Sequence, residues 1–170
     1  PNPAVDMLTI PFANKEGNAT INITDVTGKT VVVLVNDPGF ATQNDALFTG
    51  NAMTYYGRWT YKYEEAARQG AKAVFIVHET APAAYPWGVV ESSNTGTKYT
   101  LMDNNLNASK LPVMGWLTLD ATEQMFNAAK LNYQDLKQAA LNNDFKATPL
   151  NLKANLAFKN EVSHAKSHNV

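Results

Sequence analysis

Three histidines and a few carboxylates are the residues of this chain that could do chemistry. His78 and Glu79 stand side by side after an apolar run, like the opening of a zinc-protease H-E-x-x-H helix. The fifth position is Pro82, so the second metal ligand is missing. His78 is therefore expected to be a hydrogen-bonded structural histidine at the end of a strand. His164 and His168 are four apart, a spacing that suits a metal on a helix or on one strand face. Lys166 lies between them without any accompanying carboxylate motif, and a solvated segment is expected there. The stretches "DPGF" (Asp37 to Phe40) and "DNNLN" (Asp103 to Asn107) carry oxygen ligands without the spacing of a calcium loop. Asp37-Pro38-Gly39 reads first as turn chemistry. Glu64, Glu65 and Glu91 are available as acid–base groups, but paired carboxylates on an exposed helix are expected to be solvated. No G-x-S-x-G elbow, P-loop or G-x-G-x-x-G is present.

Composition narrows the field further. With no cysteine there is no disulfide, thiolate nucleophile or cysteine-ligated zinc. Fourteen basic residues against 15 acidic, unclustered, give no concentrated positive face, so no nucleic-acid partner is expected. No apolar run approaches the about 20 residues that cross a bilayer, so no membrane span is expected. The Asn-x-Ser/Thr sites at Asn18, Asn22 and Asn107 matter only in a eukaryotic secretory context. A start at "PNPAVD" and a close at "SHAKSHNV" read as a piece of a longer or processed polypeptide.

The elements that must position these residues follow from hydrophobic pattern. Three continuous apolar runs, Val31 to Val35, Ala73 to Val77 and Val113 to Leu117, predict strands buried on both faces, as in a parallel sheet. Between the first two, Trp59, Tyr63, Ala66 and Ala67 share a helical face, with Gly70 placed to end the helix. The result is a β-α-β unit with a right-handed crossover. After the third run, a helix capped by Thr118 or Asp120 would turn Met125, Phe126 and Ala129 inward. A shorter helix follows through Tyr133, Leu136 and Ala140. The chain then alternates from Leu150 to Phe158, predicting a half-buried antiparallel strand, with weaker alternation at "DMLTIPF" and "TINITDV" near the start. The expected fold is α/β: a compact mixed sheet or open barrel with a β-α-β centre and flanking helices, one domain over residues 1–170.

Two long connections leave the carboxyl ends of the presumed parallel strands, Asn36 to Gly57 and His78 to about Lys98. Loops beyond about 12–15 residues in compact domains are uncommon and often functional. Open α/β sheets bind ligands at that edge. The connections carry Phe40, Phe48, Tyr55, Tyr56, Tyr85 and Trp87, and this aromatic rim is the expected contact surface. For Trp87 the simpler alternative is that it caps the edge of a small core.

The motifs "GKTVVVLVNDPGF", the Arg58-to-Gly70 helix, "GAKAVFIVHET", the "YPW" loop and "LPVMGWL" give this chain a family likeness. From about Gly28 to Ala129 it resembles the protease-associated domain inserted in bacterial zinc-dependent aminopeptidases of the co-catalytic two-zinc type. That wider group includes glutamate carboxypeptidase II and the transferrin receptor. The family's His-x-Asp zinc segment matches no position here, nor do His164 and His168 fit its ligand pattern. The resemblance implies an excised, non-catalytic module that covers a peptidase cleft in cis and shapes substrate access, substrate selection or protein contacts. It implies no cofactor in this chain, two zinc ions in the absent catalytic domain, and an exported bacterial setting, periplasmic, secreted or at the cell surface. Tyr85, Trp87, Phe40, Tyr55 and Tyr56 would face peptide substrate or the parent domain. The alternative is a free-standing exported module that binds peptide or sugar through the same rim. A small enzyme with an unrecognised centre is the third reading.

Overall fold

A computed structural model describes residues 7–9, 29–43, 50–101, 110–142, 145–157, 159 and 161–168. The chain divides into a smaller unit, residues 1–22 with 152–170, and a larger one, residues 23–151. "TINITDV", "DNNLN", Phe48 and the three Asn-x-Ser/Thr asparagines lie outside the described residues.

The larger unit is an α/β layer built on a three-stranded parallel sheet. Strands β2 (Thr30–Leu34), β3 (Ala73–Val77) and β4 (Val113–Leu117) lie side by side in that order. Val31 pairs with Val74, and Ile76 pairs with both Val33 and Trp116. The central strand β3 is buried at all five residues, which is why its sequence runs apolar without alternation. The pleat sends Val74 and Ile76 to one face. There they join Val35, Ala66, Ala71, Ala83 and Leu111, with Val31, Val33, Tyr63, Tyr85 and Trp116 packed around them. Each large apolar side chain buried this way contributes about 1.5–3 kcal/mol.

Helix α2 (Trp59–Arg68) lies against β3 through the Tyr63–Ala66–Ala67 face. The Tyr63 hydroxyl donates to the Gly115 carbonyl at 3.1 Å, tying this helix to β4. Burial pushes that hydroxyl's pKa up. Gly70 takes φ of 80° just past the helix, the left-handed residue expected there. Helix α5 (Leu119–Ala128) starts at Thr118, whose Oγ1 accepts from the Ala121 N–H at 3.1 Å. Thr122, Met125 and Phe126 form its buried stripe. Helix α6 (Tyr133–Ala139) is capped by Asn132 in the same manner.

Both connections at the carboxyl edge are more structured than their sequences imply. The first holds α1 (Pro38–Thr42) and a 3-10 turn at Tyr55–Gly57; the second holds α3 (Thr80–Ala83) and α4 (Trp87–Asn94). Pro38 opens α1, where a missing N–H costs nothing, and Pro86 sits at the cap of α4 rather than inside it. Proline here starts helices, so "YPW" marks an entry into a helix and not a long open loop.

In the smaller unit, β1 (Met7–Thr9) pairs with β5 (Lys153–Asn155) in parallel, Leu8 opposite Ala154. The expected alternation holds: Leu152 and Ala154 are half-buried and Leu156 buried, while Asn151, Lys153 and Asn155 are exposed. The expected antiparallel direction does not. Alternation reports burial on one face and carries no information about strand direction. The described strands form two parallel sheets, neither of them closed.

Candidate functional site

The carboxyl edge of the three-stranded sheet gathers most of the residues singled out above. Where β3 ends, His78 is 4% exposed, and its backbone N–H donates to the Leu117 carbonyl of β4 at 2.9 Å. Its Nε2 lies 2.9 Å from the Tyr85 carbonyl. A carbonyl can only accept, so Nε2 carries the proton and donates. Around the imidazole stand Trp87, Tyr85 and Trp116, with ring centroids 5.6, 5.8 and 6.2 Å away. Tyr85 also meets Trp116 edge-on at 6.4 Å. His78 is thus the hub of an aromatic cluster, in keeping with a structural histidine.

Beside this cluster is a depression of about 340 Å³, lined by His78, Glu79, Thr80, Ala81, Pro82, Trp87, Thr118, Leu119 and Asp120. Glu79, its innermost acid, is already engaged. It accepts from the Tyr133 hydroxyl at 2.8 Å and pairs with Lys137 at 2.7 Å. Burial, and then the bond to Glu79, raises the Tyr133 pKa.

At the exit of β2 the construction is different. Asn36 is buried and holds φ of 69°, a conformation that asparagine tolerates better than most residues. Its N–H donates to the Gly57 carbonyl at 3.0 Å, and its Nδ2 donates to the Pro82 carbonyl at 2.8 Å. The approach is so close that a Cβ on Gly57 would lie 3.0 Å from the Asp37 nitrogen and 3.1 Å from the Asn36 carbonyl carbon. Asp37 follows, 6% exposed. Its Oδ2 accepts from both the N–H and the hydroxyl of Thr54 at 3.0 Å, while its buried Oδ1 has no hydrogen-bond partner among the described residues.

Tyr55 and Tyr56, each 53% exposed, pack edge-on against Tyr61 of α2, with centroids 5.5 and 5.0 Å away. Tyr55 donates its hydroxyl to Glu64 at 2.6 Å, which raises its pKa. Asp37, Pro38, Tyr56, Tyr61 and Lys62 line a shallow depression of about 350 Å³. Desolvation lowers the Lys62 pKa against a weaker opposing pull from Asp37.

The five described rim residues therefore divide. Tyr85 and Trp87 meet at His78, Tyr55 and Tyr56 meet at Tyr61, and Phe40 is half-buried on α1. Glu65 pairs with Arg68 through two bonds of 2.8 and 2.6 Å, and Glu91 is exposed on α4. His164 and His168 are exposed in a stretch without helix or strand. Asn36, Tyr61 and Lys62 were missed as site residues. The signals were an asparagine directly after a buried strand and a lysine three residues after Trp59, beside the apolar helix face. Among the described residues, no group of three or more His, Cys, Asp or Glu could hold a metal ion.

Residues 1–46 match the family model for a secretion system C-terminal sorting domain, and 124 of the 170 residues (170 less 46) lie outside that match. Neither a curated protein nor a solved structure matches the chain. The matched stretch includes β2 and α1, and so crosses from the smaller unit into the larger one. It is consistent with an exported or cell-surface protein. Among the described residues, no helix is long and apolar enough to cross a membrane.

Proposed function

We propose that this chain is a non-catalytic contact module of the protease-associated type, carried by an exported bacterial zinc aminopeptidase. In this reading it covers the catalytic cleft and shapes which peptides enter. The observation that carries it is the state of the groups at the carboxyl edge. His78 and Glu79, the two residues best placed there for chemistry, are both spent on internal bonds to Tyr85, Tyr133 and Lys137. What the edge offers outward is the half-buried Trp87 beside a shallow depression. Such a face suits contact with a peptide or a neighbouring domain better than proton transfer.

Zinc-activated water would perform the cleavage in the parent's own catalytic domain, where two zinc ions would sit. This chain would supply packing surface and a boundary to the cleft. Cell-surface or periplasmic placement is the finer setting that export of such an enzyme implies.

The test uses a polypeptide that joins this chain to its zinc aminopeptidase domain. Trp87→Ala should change KM or peptide preference by about threefold or more, the scale of losing roughly 0.7 kcal/mol of contact. A large fall in melting temperature with unchanged kinetics would assign Trp87 to the core instead. Zinc-dependent turnover of an aminoacyl chromogenic substrate by the 170-residue chain would sink the non-catalytic reading. The exposed set Tyr55, Tyr56 and Trp59, 53%, 53% and 48% exposed, favours a second reading, a free-standing binder of sugar or peptide. Saturable glycan binding lost in Tyr56→Ala would support that one.

A further inference from the structure

Asp37 and Lys62 border one depression yet form no ion pair with each other. The carboxylate is fixed in place, because Thr54 supplies two donors to Oδ2, and Oδ1 is buried without a partner among the described residues. No hydrogen bond or ion pair among the described residues engages the Lys62 ammonium; the residue is half-buried, and desolvation lowers its pKa. A buried polar group left unpaired is costly, and a charged one more so. Two such groups of opposite sign, in one small depression, call for a ligand that carries both signs. A simple cation would be repelled by Lys62, and a simple anion by Asp37. Around them the depression is almost wholly apolar, walled by Pro38 and the rings of Tyr56 and Tyr61.

We infer that this depression binds a free α-amino acid with an apolar or aromatic side chain, its ammonium meeting Asp37 and its carboxylate meeting Lys62. The side chain lies against the two tyrosine rings. Oδ1 is buried, so binding has to uncover it. The walls best able to move are the long Lys62 stem and the exposed Tyr56. The inference is independent of the peptidase reading, since binding is read on this chain with no peptidase present.

The experiment is calorimetric titration of the 170-residue chain with L-phenylalanine, L-phenylalaninamide and N-acetyl-L-phenylalanine, with NMR shifts followed at the tyrosine rings. Free phenylalanine should saturate with Kd of about a millimolar and shift Tyr56 and Tyr61. Blocking either end group should weaken binding by about tenfold or more, and Lys62→Met and Asp37→Asn should do the same. Asp37 also anchors Thr54, so Lys62→Met and the blocked ligands carry the test whether or not Asp37→Asn folds. No saturable binding of phenylalanine up to about 50 mM, or equal binding of free and blocked forms, would overturn the inference.

Discussion

The ends of β2 and β3 sit on adjacent strands of one sheet and carry the same kinds of residue, but they are finished in opposite ways. At the end of β3, three aromatic rings close on His78, which contributes a ring to pack against and an N–H to satisfy the Tyr85 carbonyl. At the end of β2, Tyr55 and Tyr56 gather on Tyr61 at the surface, above a carboxylate with one oxygen unused. Where a buried polar hub uses up its bonds among them, the rings form a closed cluster from which only the half-buried Trp87 is offered outward. Where the hub is left incomplete, the rings and the hub together form an open surface.

The sharpest way to break this contrast is at the closed cluster. His78→Ala removes a nearly fully buried ring, leaves a void among three aromatics and strands the Tyr85 carbonyl. It should cost about 3 kcal/mol. Tyr56→Ala at the open site should stay within about 0.5 kcal/mol. Urea unfolding of both variants measures the difference. Equal losses would mean that the tyrosine patch is as much a part of the core as the histidine cluster, and the comparison would fail.

A smaller effect is expected at the joint that shapes the open site. Gly57→Ala places a methyl carbon 3.0 Å from one backbone atom of the Asn36–Asp37 turn and 3.1 Å from another. Backbone cannot swing aside as a long side chain can, so a cost of about 1–3 kcal/mol is expected. The same variant should disturb Tyr56 and Thr54 signals in NMR spectra while leaving the Trp87 and Trp116 signals in place. Shifts spread equally over both regions would show that the two strand ends respond as one unit.

How much of this was legible depended on whether the physical cause leaves a periodic trace. A continuous apolar run does, and the runs at Val31 to Val35, Ala73 to Val77 and Val113 to Leu117 each fall on a strand of the sheet. Burial on both faces holds for β3 alone, since β2 is half-buried throughout and Met114 of β4 is exposed. A cap does as well, and Thr118 bonds Ala121 as its place before α5 implies. Helices α3 and α4 left no usable trace, because they are short and a proline stands inside the first (Pro82) and at the cap of the second (Pro86). Pro86 reads as a breaker until its position at the very start of α4 is known. Direction left none either, since Leu152, Ala154 and Leu156 alternate identically whichever way β5 pairs. The split of the rim into two groups depends on ring contacts with His78 and Tyr61, which lie outside the two "YY" and "YPW" stretches. Phe40, Tyr55, Tyr56, Tyr85 and Trp87 were visible as a set, but their partners were not.

The smallest effect expected is a matter of charge on the solvent side of α2, and it tests whether the open site is isolated from its own helix. The bonds from Arg68, with Gln69 adding to them, hold the Glu65 carboxyl at about 2, below its usual 4.5. A lowered folded-state value means that the ionised form is favoured by folding. The stabilisation is therefore complete above pH 4.5 and is lost as pH falls toward about 2. Glu65 and Arg68 face water, so salt screens the pair and its share of stability is slight. The informative quantity is the difference between wild type and Glu65→Gln. That difference in urea midpoint should be present at pH 5, shrink by pH 2.5, and be smaller in 1 M salt (an ionic strength at which screening acts within about 3 Å). Lys62 lies three residues before Glu65 on the same helix, yet it lines the Asp37 depression rather than joining this pair. Glu65→Gln should accordingly leave phenylalanine binding unchanged. Weakened binding in that variant would mean that the outer face of α2 and the open tyrosine site share their electrostatics, and that the site is less enclosed than its buried carboxylate implies.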